Sequence, residues 1–269
     1  MTDDAWVDLF HGIAAEVREV VAPLIGTAAG RVEVGRGAGG DRTVELDRAA
    51  EEVVLGRLRA LSANGERFSV VSEEAGAIDL GAPYPIVLVD PVDGSLNAKR
   101  GVPVAAVMLS LLDGPCLDDV RIGLVHNLVT GQRWHAVRGG GLAGDRAALS
   151  PPAGGGRLGV VGLESSPRNL EAVMPVIARA GKLRLLGAMA ISLVQVASGG
   201  FDLFCSARPT RALDMAAGLL MIREVGGVAT DLAGRSIGSL EAGLGTRTTL
   251  LCAADPDVHR RALDLLAGG

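Results

Sequence analysis

Two aspartates three residues apart follow an apolar run in the segment Pro85-Ile86-Val87-Leu88-Val89-Asp90-Pro91-Val92-Asp93-Gly94-Ser95-Leu96-Asn97. Ile86 to Val89 read as a strand buried on both faces, and Pro91, with no N–H to give to a ladder, is expected to end pairing where Asp90 emerges. Gly94 permits a tight turn that brings Asp90, Asp93 and the Val92 carbonyl toward one point. Such an all-oxygen set suits magnesium, whose octahedron is completed by waters and a substrate phosphate, whereas zinc favours His or Cys. A helix opening after Gly94 would aim free N–H groups and its positive dipole end at the same crevice, where a phosphate could sit. An isolated D-x-x-D is better read as a strand, a turn and a helix cap.

Two further acidic clusters shift that balance. Ser72-Glu73-Glu74-Ala75-Gly76 follows the apolar stretch 68–71, and Asp214 heads an apolar helix in Arg211-Ala212-Leu213-Asp214-Met215-Ala216-Ala217-Gly218. Taken singly, the first is a solvated turn and the second a first-turn acid favoured by the helix dipole. Arg184, Arg208 and Arg211 read equally as a solvated basic face or as substrate contacts. His126 and His135 fall on expected strands and read as structural.

The elements that must position these groups follow from periodicity. Val7, Leu9, Phe10, Ile13, Ala14, Val17, Val20 and Val21 recur at helical spacing within 5–25, and 47–61 gives a second helix after a glycine-rich loop. Short apolar runs at 68–71, 85–90, 104–112, 120–127 and 132–138 predict consecutive strands, so the first half is helices plus a largely antiparallel sheet. Ser150-Pro151-Pro152-Ala153-Gly154-Gly155-Gly156 is the best linker, splitting the chain into an α+β lobe at 1–149 and an α/β lobe at 150–269. In the second lobe strands are expected at 157–162, 183–186, 201–204 and 248–252, and helices at 168–180, 189–199, 212–225 and 255–267.

Composition narrows the classes. With 269 residues the chain can bury a sizeable core, and although 48% is hydrophobic, its apolar runs are too short or interrupted to cross a bilayer. The acidic start Met1-Thr2-Asp3-Asp4 does not resemble a signal peptide. Cys116, Cys205 and Cys252 are widely spaced without any CxxC, which fits reduced thiols in a cytoplasmic protein. A net charge of −5 argues against nucleic-acid binding, and 3% aromatic residues offer no stacking platform.

Taken together and in order, these motifs resemble the inositol monophosphatase family of lithium-sensitive, magnesium-dependent phosphatases. Asp41 to Asp47, Glu73-Glu74, Asp90 to Asn97, Gly123 to Gly141, Arg184 to Ala190, and Asp214 through Glu224-Val225-Gly226-Gly227 carry the likeness over nearly the whole chain. The resemblance implies a layered αβαβα sugar-phosphatase sandwich. It implies that Glu73, Asp90 and the Val92 carbonyl hold one Mg2+, that Asp90, Asp93 and Asp214 hold a second, and that Glu73 with Asp47 nearby serves a third. It further implies that Glu73 and Ser95 position the attacking water, with Asp93 and Asp47 in the catalytic set, that the Gly94 and Ser95 N–H groups hold phosphate oxygens, and that the protein is a homodimer. The expected substrate is a small polyol or sugar phosphate ester, inositol-1-phosphate first. Ala207 stands where many relatives carry an acidic residue gripping inositol. Arg208 and Arg211 lie nearby, as in members acting on fructose-1,6-bisphosphate, which makes a bisphosphate or nucleotide-type phosphatase the alternative. A catalytically weak regulatory subunit is disfavoured because Glu73, Asp90, Asp93, Ser95 and Asp214 are all retained.

Overall fold

The computed structural model describes residues 1–145 and 158–268, so the linker expected at 150–156 lies outside the described residues. The first half runs α1 (Asp3–Val21), β1 (Glu33–Arg36), β2 (Arg42–Val44), α2 (Glu45–Ala63), β3 (Phe68–Ser72), β4 (Gly76–Asp93), α3 (Ser95–Arg100), β5 (Ala106–Leu112), β6 (Val120–Asn127), β7 (Arg133–Val137) and β8 (Gly141–Gly144). The second half runs β9 (Val160–Glu164), α4 (Met174–Ile177), β10 (Lys182–Arg184), α5 (Met189–Ala197), β11 (Leu203–Arg211), α6 (Ala216–Glu224), β12 (Val228–Thr230), β13 (Arg247–Ala253) and α7 (Pro256–Ala267).

Helix α1 starts where Thr2 caps it, its hydroxyl accepting the Ala5 N–H at 3.3 Å, and Asp3 and Asp4 in the first turn suit the positive end of the dipole. Its helical stripe Trp6, Phe10, Ile13, Ala14, Val17 and Val21 is buried with Leu46, Val54 and Leu58 of α2 against one face of the six-stranded sheet β3-β4-β5-β6-β7-β8. Each fully buried Val, Leu, Ile or Phe among them contributes roughly 1.5–3 kcal/mol.

The other face of that sheet, through Leu88, Met108, Val125 and Trp134, packs on α5 and α6, which also cover Phe204, Leu250 and Cys252 of the five-stranded sheet β10-β9-β11-β13-β12. On the far side α4 and α7 close the structure through Val176, Val258 and Ala262. The layers are therefore α/β/α/β/α, as expected. The strand alternation shows in β4: Leu88 joins the central core while Val87 and Val89 join the outer one. Gly123 lets α6 approach β6, since a Cβ there would lie 2.8 Å from Ala217 Cα. That close seating fixes the helix headed by Asp214.

Some expectations fail for local reasons. Pairing does not end at Pro91: Asp90 faces Met108, and after a bulge Asp93 faces Ala106. Strand β4 also begins earlier, because 77–80 folds back along β3 before 86–89 runs along its other side, Val70 pairing with both Ile78 and Val87. Strand β11 reaches Arg211 rather than stopping at 204, and the helix expected over 168–180 is reduced to a 3-10 turn at Leu170–Val173 followed by the short α4. Among the described residues no helix is long and apolar enough to cross a membrane, and all the cysteines are free thiols.

Candidate active site

The last fully buried stretch of β4 delivers Asp90, whose Oδ1 accepts the Val92 N–H at 3.1 Å. Glu73 arrives from the turn after β3, anchored by its own N–H to the Val89 carbonyl at 3.0 Å. Asp214 comes from the 3-10 turn Leu213–Met215 between β11 and α6. Oxygens of Glu73, Asp90 and Asp214 lie within 4.8 Å of one another. Asp93 opens into the same cleft of about 440 Å³, where Asp47, Val92, Gly94, Ser95, Arg208 and Arg211 also appear.

Ser95 opens α3 behind Gly94, which takes the left-handed backbone at φ 85°. The Ser95 hydroxyl lies 2.7 Å from Asp47 Oδ1 and 2.8 Å from the Val92 carbonyl, so its single proton serves either acceptor. Asp47 is held in turn: its Oδ2 accepts the Val44 N–H at 3.1 Å at the start of α2, and Lys99 Nζ stands 3.7 Å away.

The cluster is electrostatically strained as it stands. Burial, reinforced by Glu73, Asp93 and Asp214, pushes Asp90 well above the usual carboxylate range. Asp93 is raised to about 7 by burial despite two backbone N–H donors, and Asp214 to about 6 by burial despite Arg211. Glu74, beside them, is raised to about 7 by burial although Thr43 donates to it. One cation is already present: Arg211 Nη2 lies 2.6 Å from Glu73 Oε1, and its Nε lies 3.1 Å from both Asp214 oxygens. A buried set of hard oxygens, with a guanidinium standing in for positive charge, fits a divalent metal with oxygen preference. Glu73, Asp90, Asp93, Asp214 and the Val92 carbonyl would hold it.

A second cavity of about 190 Å³ adjoins the first and shares Asp93, Arg211 and Asp214 with it. Arg208 on β11 also borders both, and the far side carries Glu164 at the end of β9 and Arg247 at the start of β13. Burial raises the Glu164 carboxyl, while Arg208 works against it. Arg184 is not brought to either cavity: it lies exposed on the edge strand β10 and donates to the Leu183 carbonyl at 2.8 Å.

Several site residues escaped the sequence reading. Lys99 sits four residues beyond Ser95 on α3, a helical spacing that could have suggested it. Glu164 ends the apolar strand β9, much as Glu73 directly follows β3. Arg247 carries no local signal, and the role of the Met189 and Ala190 N–H groups, which hold Asp93, is invisible in residue types.

Known proteins share this arrangement of chain. A fructose-1,6-bisphosphatase/inositol-1-monophosphatase of Methanothermobacter thermautotrophicus is 30% identical, covering 97% of this chain and 96% of its own. One of the same description from Thermococcus kodakarensis is 35% identical over 86% and 85% of the two chains. An inositol-1-monophosphatase of Aeropyrum pernix is 30% identical over 84% and 85%. Among solved structures, the extragenic suppressor protein suhB of Bartonella henselae superposes with a TM-score of 0.81 at 24% identity, covering 98% of this chain and 99% of that one. A Thermotoga maritima inositol monophosphatase gives 0.79 at 20% identity, with 98% and 97% coverage. At those identities the superpositions establish the layered fold. The family profile itself matches residues 4–267, the span that holds every carboxylate of the site, and by that measure the chain belongs to the inositol monophosphatase family.

Proposed function

We propose that this protein is a magnesium-dependent phosphatase that hydrolyses a phosphate monoester of a small polyol or sugar, inositol-1-phosphate first. The observation that carries the reading is the convergence of Glu73, Asp90 and Asp214 from three distant stretches of chain, within 4.8 Å, beside the Ser95 and Asp47 pair.

Divalent ions bound there, two or three per site, would supply a water of lowered pKa and neutralise charge on the leaving oxygen. The chain's own groups do the rest. Glu73 and the Ser95 hydroxyl orient the attacking water, and Asp47, 2.7 Å from Ser95 Oγ, accepts the hydroxyl proton so that the serine lone pairs face the nucleophile. Gly94 and Ser95 line the cleft, and their N–H groups would hold phosphate oxygens. The esterified alcohol extends into the second cavity, where Glu164 is placed to accept hydroxyl protons.

Arg208 and Arg247 in that cavity favour a second reading, a fructose-1,6-bisphosphatase or another bisphosphate phosphatase, because two guanidinium groups suit a second phosphate. The all-oxygen donor set supports magnesium, and lithium would compete for one ion position. Three widely spaced cysteines, all free thiols, support a cytoplasmic site of action, and the family resemblance supports a homodimer acting on a small phosphate ester without nucleic acid or membrane. The test is phosphate release from inositol-1-phosphate, fructose-1,6-bisphosphate and NADP⁺, with magnesium and with EDTA. Release from none of them in magnesium would overturn the enzymatic reading.

A further inference from the structure

Arg211 holds a position that a solvated arginine or a simple substrate contact does not explain. It is buried at the end of β11, and its guanidinium reaches into the carboxylates rather than toward open solvent. Nη2 lies 2.6 Å from Glu73 Oε1 and Nε lies 3.1 Å from each Asp214 oxygen. Both partners belong to the cluster assigned to metal. Nη1 lies 3.5 Å from Asp41 Oδ2, on an exposed side chain, and has no hydrogen-bond partner. The loop between β1 and β2 closes over this group: Gly39 donates its N–H to the Glu73 carbonyl at 2.7 Å, and a Cβ on Gly39 would come within 2.5 Å of Arg211 Nη1.

We propose that Arg211 is an internal counter-cation that competes with the divalent ion for Glu73 and Asp214 and is displaced toward Asp41 when metal binds. The inference rests on the reading of the carboxylate cluster as a metal site and adds to it a role for this arginine. A guanidinium hydrogen-bonded to a carboxylate occupies lone pairs that a metal would otherwise take, and both claim the same negative charge. Without metal, Arg211 offsets part of the repulsion that would otherwise splay Glu73, Asp90 and Asp214. Once Glu73 and Asp214 turn to the ions, the long side chain keeps one partner, since Nη1 already leans on Asp41 at the rim. It already borders the second cavity with Arg208 and Arg247, so metal loading would free its charge from Glu73 and Asp214 for an anionic substrate there.

The test is calorimetric titration of the full chain with magnesium chloride alone, comparing wild type with Arg211→Gln and Arg211→Lys. Removing the competitor should tighten magnesium binding by about tenfold or more, the scale of a lost charge-assisted pair, while lowering the metal-free melting temperature. Lysine, which keeps the charge without the two-pronged geometry, should fall between. Unchanged or weaker magnesium binding in Arg211→Gln overturns the competition. Should that variant fail to fold without metal, the wild-type protein decides: the Arg211 Nε–H, followed by NMR, should be protected from exchange without magnesium and exposed at saturation. Persistent protection overturns the proposal. An absence of magnesium binding to wild type would remove the metal reading itself and this inference with it, whereas wild-type binding with no change in the variant leaves that reading standing.

Discussion

The Asp93 carboxylate accepts the N–H of Met189 at 2.9 Å through Oδ1, a bond that reaches across 96 residues to the first turn of α5. Its other oxygen takes the Ala190 N–H at 2.8 Å. Asp93 thus faces the proposed metal with lone pairs whose direction is set by the helix between the sheets. Replacing it with Asn keeps the shape, removes a ligand charge and leaves only one acceptor for two N–H groups. Turnover of Asp93→Asn should fall about 100-fold or more, beyond the usual loss from an outer-shell change. The lost cap bond costs about 1 kcal/mol, offset in the metal-free protein by relief of repulsion with Asp214 and Glu73. Phosphate release and the melting temperature without magnesium check both halves, and near-normal turnover would exclude Asp93 as a ligand.

Ser95 is placed to act through its hydroxyl alone. Ser95→Ala removes the contact to Asp47 at 2.7 Å while keeping the helix start, so kcat should drop about 100-fold with little change in the magnesium requirement. Ser95→Thr retains the hydroxyl and should restore most of the rate. A full rate in the alanine variant would leave Asp47 and Glu73 to orient the water without it.

The sequence made some of this legible and hid the rest for identifiable reasons. Asp90, Asp93 and Asp214 are readable because each adjoins a strong local pattern, the end of an apolar strand or the head of an apolar helix, that fixes where a carboxylate emerges. The hairpin of β1 and β2 was not, since Glu33–Arg36 is exposed along its whole length and shows no alternation. Pro91 misled because a bulge lets β4 rejoin β5 at Asp93. Pro175 cut the helix expected around it to the short α4. In sequence Arg184 and Arg211 read alike, as basic residues that are either solvated or in contact with substrate. Only tertiary structure separates them, one on an exposed edge strand and the other among the carboxylates.

Stability should depend on pH through His126, on β6 and 4% exposed. Its pKa is lowered from 6.5 to about 4 by burial, then by Arg133, Arg18 and His11, with Asp145 opposing. Neither ring nitrogen has a protein partner. The unfolded chain therefore takes a proton near 6.5 that the folded chain refuses until about 4. Stability is full above the unfolded value and is lost as pH falls between the two, by up to about 3 kcal/mol. His11, lowered likewise to about 4 and 3.1 Å from His135, adds to the slope. Urea midpoints should decline from neutral pH toward 4 in wild type and less steeply in His126→Gln. Parallel slopes would assign the decline elsewhere.

Gly94 and Gly101 both adopt left-handed backbone, with φ 85° and 72°, yet their surroundings differ. A Cβ on Gly94 would meet the Val104 carbonyl at 2.9 Å and Ala188 Cβ at 3.0 Å, whereas one on Gly101 would find only Gly26 Cα at 3.5 Å. An alanine at either position bears the left-handed penalty of about 1–2 kcal/mol. At Gly94 the Val104 backbone on one side and Ala188, the residue that caps α5, on the other leave no room, so the strain must shift Gly94 and Ser95, which line the cleft. Gly94→Ala should therefore lose turnover and raise KM for substrate as well as lower the melting temperature, while Gly101→Ala should lose stability alone. Equal activity in the two variants, measured at saturating magnesium, would mean that the turn after Asp93 does not position phosphate.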